Sequence, residues 1–171
     1  MVFQDAIKTC FGKFATFSGR APRSEYWWWV LFIILGNFVS GFLDGIVLGL
    51  GVGDDVSDGS IIGALFGLAT LLPTIAVTAR RLHDVNRSGW WQVAPYGMLI
   101  VTAIMAAINA AILQTAAAIA AVVLLVALLV WLVRAGTTGT NGFGPDPLGG
   151  SGEKGGGGTY HRSSIPPSGR D

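Results

Sequence analysis

Three stretches of this chain contain no Asp, Glu, Lys or Arg: residues 26–43, 59–79 and 88–133. A bilayer's hydrocarbon core, about 30 Å thick, is crossed by about 20 apolar residues in a helix. The first two runs, 18 and 21 residues long, each fit one crossing. The third, of 46 residues, would measure about 69 Å as one helix at about 1.5 Å per residue. It therefore divides into two spans, near 90–111 and 115–133. Only 12% of the 171 residues are charged and 51% are hydrophobic, against about 25% charge in an ordinary soluble domain. These features predict an all-α polytopic membrane protein with four transmembrane helices.

The boundaries of the spans carry their own signals. The first is expected from Tyr26 to Leu43, closed by Asp44, and the second from Ile61 to Ala79, ended by Arg80 and Arg81. Pro73 predicts a kink in the second, because proline cannot donate the helix hydrogen bond. Trp27, Trp28, Trp29, Trp90 and Trp91 sit at span ends, where tryptophan anchors a protein at the membrane–water interface. Between the third and fourth spans the only polar markers of a turn are Asn109, Gln114 and Thr115. Residues 45–60 read as a Gly-rich acidic loop.

Ahead of the spans, residues 2–17 place Val2, Phe3, Ala6, Ile7, Cys10, Phe11, Phe14 and Phe17 on one helical face, with polar residues opposite. The segment is too polar to cross a membrane. It is expected to be an amphipathic interfacial helix lying in the headgroup layer; the alternative is the same face packed against the membrane domain. The chain thus divides into an amphipathic helix and basic linker (1–24), a four-span domain (25–148) and a Gly-rich tail (149–171). The tail's composition predicts disorder, and its Tyr160-His161-Arg162 reads as solvated sequence. No signal-peptide pattern opens the chain.

Basic residues are distributed asymmetrically. Lys8, Lys13, Arg20 and Arg23 precede the first span, the first loop has none, the second has Arg80, Arg81 and Arg87, and Arg134 follows the fourth span. By the positive-inside rule both termini and the second loop are expected in the cytoplasm. An even number of spans satisfies this; three would place Arg134 outside.

Three polar patches then fall on one side: Phe17-Ser18-Gly19-Arg20-Ala21-Pro22-Arg23-Ser24-Glu25-Tyr26-Trp27-Trp28, Arg80-Arg81-Leu82-His83-Asp84-Val85-Asn86-Arg87-Ser88-Gly89-Trp90-Trp91, and Gly136-Thr137-Thr138-Gly139-Thr140-Asn141-Gly142-Phe143-Gly144-Pro145-Asp146-Pro147. In order and spacing they resemble the bacterial inner-membrane proteins grouped as domain of unknown function 805, over roughly residues 8–147. The resemblance implies a small multi-span bacterial inner-membrane protein and supplies no catalytic residues. The chain departs from the family's pattern at Val85-Asn86, where a small residue and Gly are usual, and at Thr138, where Pro is usual.

The chemistry of these patches points to binding. Arginine forks match phosphate and carboxylate, so Arg20, Arg23, Arg80, Arg81 and Arg87, with Glu25, His83 and Asp84 among them, are candidates to hold an anionic lipid headgroup or a partner protein. The structural alternative is that the arginines fix topology while Glu25 and Asp84 pair with them inside the fold. A small permease or channel using Asn37, Thr70, Asn109, Gln114 or Thr115 is the second reading, disfavoured because no charge lies within a span. A membrane-embedded enzyme using His83 and Asp84 is the third; adjacent helical residues point about 100° apart and do not converge naturally.

Other classes lack their signatures. One cysteine, Cys10, excludes an internal disulfide, and two histidines, His83 and His161, are too few for an ordinary zinc site. Asp54, Asp55 and Asp58 lack the alternation of a calcium loop. Gly139, Gly142 and Gly144 open no nucleotide fingerprint, and a net charge of +1 without a basic tract gives no reason to expect nucleic acid. No cofactor, no metal and no catalytic residue is expected. Gly36/Ser40 and Gly63/Gly67 mark close helix packing, within the chain or in a homo-oligomer.

Overall fold

In a computed structural model of the chain, which describes residues 1–49 and 61–149, five helices follow one another: α1 (Phe3–Gly12), α2 (Arg23–Gly49), α3 (Ile61–Asp84), α4 (Val93–Ala107) and α5 (Ala111–Val133). A 3₁₀ turn, Gly89–Gln92, leads into α4. Four segments are long and apolar enough to cross a membrane: Arg23–Val47, Ile61–Asp84, Gly89–Ala107 and Ala111–Val133. They form two helical hairpins, α2 with α3 and α4 with α5, and α3 also touches α5. Large apolar side chains stand fully outward, Phe38 at 75% and Ile112 at 86% exposure. Surface of this kind marks a face that meets lipid or another chain rather than water.

Both hairpins differ from expectation at their tips. The first span does not stop at Leu43: α2 runs on to Gly49, and the buried Asp44 carboxylate accepts the Ile62 and Gly63 N–H groups, both at 3.0 Å. Asp44 therefore caps the N-terminus of α3 from another helix, supplying acceptors to amides with no partner inside their own helix. Residues 50–60 of the expected acidic loop, and the tail beyond Gly149, lie outside the described residues. The α4–α5 turn falls at 108–110, not at Gln114 or Thr115. Asn109 makes it by adopting φ +54, a left-handed conformation that asparagine tolerates better than most residues.

The α2–α3 seam is built from small and aromatic residues. A Cβ at Gly36 would clash with the edge of the Phe66 ring at Cζ, so Gly36 serves packing within the chain. Thr70, Thr74 and Thr78 return their hydroxyls to the carbonyls of Phe66, Thr70 and Thr74, each at 2.7 Å. Asn37 and Thr115 do the same with Ile33 and Ala111. These five side chains thus satisfy a donor within their own helices.

Trp29 departs from its expected place at the membrane interface. Its side chain is fully buried, donates to Thr74 Oγ1 at 3.1 Å and packs edge-on against Phe11. The partner face comes from α1. That helix is shorter than residues 2–17, and Ala6 and Cys10, expected to enter the headgroup layer, are buried against the bundle. The apolar stripe finds protein before lipid because Trp29, Phe32 and Val77 present a matching surface. Phe14 and Phe17 remain exposed.

Candidate functional site

The three polar patches meet at one end of the bundle. Their centre is Asp84, the last residue of α3. Arg20 Nε donates to Asp84 Oδ1 at 3.0 Å, and Arg81 Nη1 donates to Asp84 Oδ2 at 2.5 Å. Both carboxylate oxygens are therefore engaged by guanidinium groups, in charge-assisted bonds stronger than neutral ones. All three side chains are at least nine-tenths buried.

Each arginine also ties down the segment after α5. Arg81 Nε donates to the Leu132 carbonyl at 3.0 Å, and Nη2 to that of Arg134. A cation thereby caps the C-terminus of α5, whose last carbonyls lack partners in the helix. Arg20 Nη1 donates to the Gly139 carbonyl at 2.6 Å, and Nη2 to that of Thr137. Thr137 N–H closes back on the Asp84 carbonyl at 2.9 Å. Gly136 is required here, because a Cβ would occupy the place of the Asp84 carboxylate.

A third ion pair completes the buried network. Arg80 Nη1 donates to Glu25 Oε1 at 2.6 Å, both side chains being buried. Arg80 Nε and Nη2 have no hydrogen-bond partner among the described residues. Cys10 lies close by in the same core, and its thiol is pushed up to about 12, chiefly by burial and then by the Glu25 charge. A thiol so held is unreactive at neutral pH.

His83 does not join the ionic cluster. Its Nδ1 lies 3.1 Å from the Gly19 carbonyl, and its ring stacks on Phe143 at 4.0 Å between centroids with a 5° interplanar angle. Asn141 donates to the His83 carbonyl at 2.9 Å. The loop carrying these residues is braced by Asp146, whose carboxylate accepts from Leu148 and Gly139 N–H groups; those bonds hold it below the usual carboxylate range. Among the described residues no three His, Cys, Asp or Glu side chains come together as a metal site would require.

Two of the five candidate arginines stand outside this network. Arg87 is exposed and lies over Trp131 at 5.0 Å, a cation–π contact, and Trp91 meets the same ring edge-on. Trp90 is 81% exposed. Arg23 is exposed and has no hydrogen bond or ion pair among the described residues. It lines an open groove of about 490 Å³ with Ser24, Trp27, Trp28 and Leu31 of α2 and Val133 of α5.

The sequence alone grouped all eight polar candidates without separating them. The structure divides them into five buried and ion-paired (Arg20, Glu25, Arg80, Arg81, Asp84) and three at or near the surface (Arg23, His83, Arg87). Leu132 and Arg134, which present carbonyls to Arg81, were not among the candidates. Backbone acceptors carry no side-chain signal.

Fold and site together define a polytopic helical membrane protein clasped at one end by a buried arginine–carboxylate network. The model of the family described as protein of unknown function (DUF805) matches residues 14–145, and the chain belongs to that family. It is 32% identical over 135 residues to the inner membrane protein YhaH of Escherichia coli K12, covering 79% of this chain and 89% of the relative. It is also 34% identical over 79 residues to the E. coli K12 inner membrane protein YhaI, covering 46% of this chain and 60% of that one. No solved structure matches it.

Proposed function

We propose that this chain is a non-enzymatic inner-membrane protein whose cytoplasmic arginine–tryptophan face holds an anionic phospholipid in the groove at Arg23. The observation behind this reading is the division among the arginines. Arg20, Arg80 and Arg81 are buried in ion pairs, whereas Arg23 stands exposed and unpaired in a groove walled by Trp27, Trp28 and Leu31. A guanidinium beside indole rings, above apolar residues of two spans, matches a phosphate headgroup above an acyl chain. The first turn of α2 adds the positive end of its dipole. A basic residue near an anionic leaflet contributes about 1 kcal/mol.

The inner membrane is taken from the relatives' names, and the cytoplasmic orientation from the positive-inside rule. A binding role is preferred to catalysis because Asp84 has both oxygens engaged by arginine and the His83 ring lies outside that cluster.

Native mass spectrometry of gently solubilised protein tests the reading. Wild type is expected to retain an adduct of phosphatidylglycerol mass that Arg23→Ala loses. An adduct of protein mass would point to a partner instead. Identical spectra for wild type and variant would reject the groove as the site.

A further inference from the structure

A cavity of about 560 Å³ opens beside the end of α3, away from the Arg23 groove. That volume is in the range of small-molecule sites. Its lining changes character with depth. His83, Ser88 and Gln92 supply polar groups near the end of α3. Ile75, in the same lining, lies eight residues earlier in α3, about 12 Å deeper at about 1.5 Å per residue. Val93, at the start of α4, adds to the apolar part, and Phe143, stacked on His83, completes an aromatic wall with Phe17 and Trp90.

The histidine sets what this cavity accepts. A carbonyl oxygen only accepts, so the His83 nitrogen facing Gly19 is the one carrying hydrogen. In the neutral ring Nε2 is then an acceptor. It has no partner among the described residues, and it lies above Gly89, where a Cβ would come within 3.4 Å of it. An acceptor in largely apolar surroundings gains from a donor brought by a ligand. The lining contains no Asp, Glu, Lys or Arg. It therefore offers no counter-charge to an ammonium or a phosphate, and burying an unpaired ion is costly.

We infer that this cavity binds a neutral amphiphile whose hydroxyl donates to His83 Nε2 and whose hydrocarbon body lies along Ala79 and Ile75 of α3. The polar end of the site is at the end of α3 and the apolar end points into the span, which is how such a molecule already lies in a bilayer. The site differs from the Arg23 groove in place and in charge, and it stands whether or not that groove binds lipid.

Photolabelling of the full-length chain in phosphatidylcholine vesicles tests this with two probes. One is a diazirine-bearing diacylglycerol with its free hydroxyl; the other is its methyl ether. In wild type the free hydroxyl is expected to label peptides carrying Phe17, Trp90 or Phe143 about fivefold more than the ether, the worth of one hydrogen bond. His83→Asn keeps an amide donor for Gly19 but places no acceptor at the Nε2 position, and should bring the two probes level. Val93→Trp fills the cavity from another helix and should suppress both. An excess of phosphatidylglycerol should not compete. Equal labelling by both probes in wild type, labelling unchanged in both variants, or competition by the anionic lipid would overturn the inference.

Discussion

Arg20 and Asp84 are 64 residues apart in the chain, yet the guanidinium Nη2 lies 2.9 Å from the carboxylate Oδ1. Through this pair the linker before α2 is fixed to the end of α3, and the remaining donors of Arg20 reach on to residues 137 and 139. One carboxylate thus holds three separate stretches of chain.

Asp84→Asn is expected to destabilise the protein by about 3–5 kcal/mol, because it leaves two buried guanidinium groups without their counter-charge. Thermal unfolding in detergent measures this, and limited proteolysis should show new cleavage within 136–146. A variant as stable as wild type would mean that the cluster is hydrated.

Two backbone positions in the patches should respond oppositely to substitution. Gly136→Ala places a methyl group where the Asp84 carboxylate sits and should lower the melting temperature markedly. Asn86 has φ +56, so Asn86→Gly should be neutral or stabilising by up to about 1 kcal/mol, since glycine adopts that conformation without strain.

Cys10 gives a pH-dependent signature. Its thiol ordinarily titrates near 9.0 and is raised to about 12 in the fold, so the native state holds the proton more tightly than the unfolded chain. The stability this represents is fully present below about pH 9 and is lost as pH rises towards 12. At pH 8 the folded protein should resist maleimide, while detergent-denatured protein should react fully. Rapid native labelling would place the thiol at the surface.

Asp44→Ala should cost about 1–2 kcal/mol through loss of the cap on α3, and Asp44→Asn, which keeps one acceptor, should cost less. Melting curves of the two variants beside wild type check the order.

The four spans and the meeting of the patches were legible because charge-free length and basic asymmetry are properties of sequence alone. What the sequence did not show depends on tertiary position. Trp27, Trp28 and Trp29 read alike as a run, yet the 100° step of the helix turns Trp29 into the core towards Thr74. Asp44 looked like a terminator because its role requires α3 beside it. The amphipathic face of α1 signalled burial without saying whether lipid or protein would cover it. Among the arginines, Arg20, Arg80 and Arg81 could not be told from Arg23 and Arg87 until their carboxylate and carbonyl partners were in place.

That separation is the central claim, and the most direct measurement reads stability and lipid retention together in Arg23→Ala and Arg81→Ala. Arg23→Ala should keep the wild-type melting temperature and lose the anionic lipid adduct, whereas Arg81→Ala should melt well below wild type. An adduct retained by Arg23→Ala, or an Arg81→Ala protein as stable as wild type, would contradict the division into holding and binding arginines.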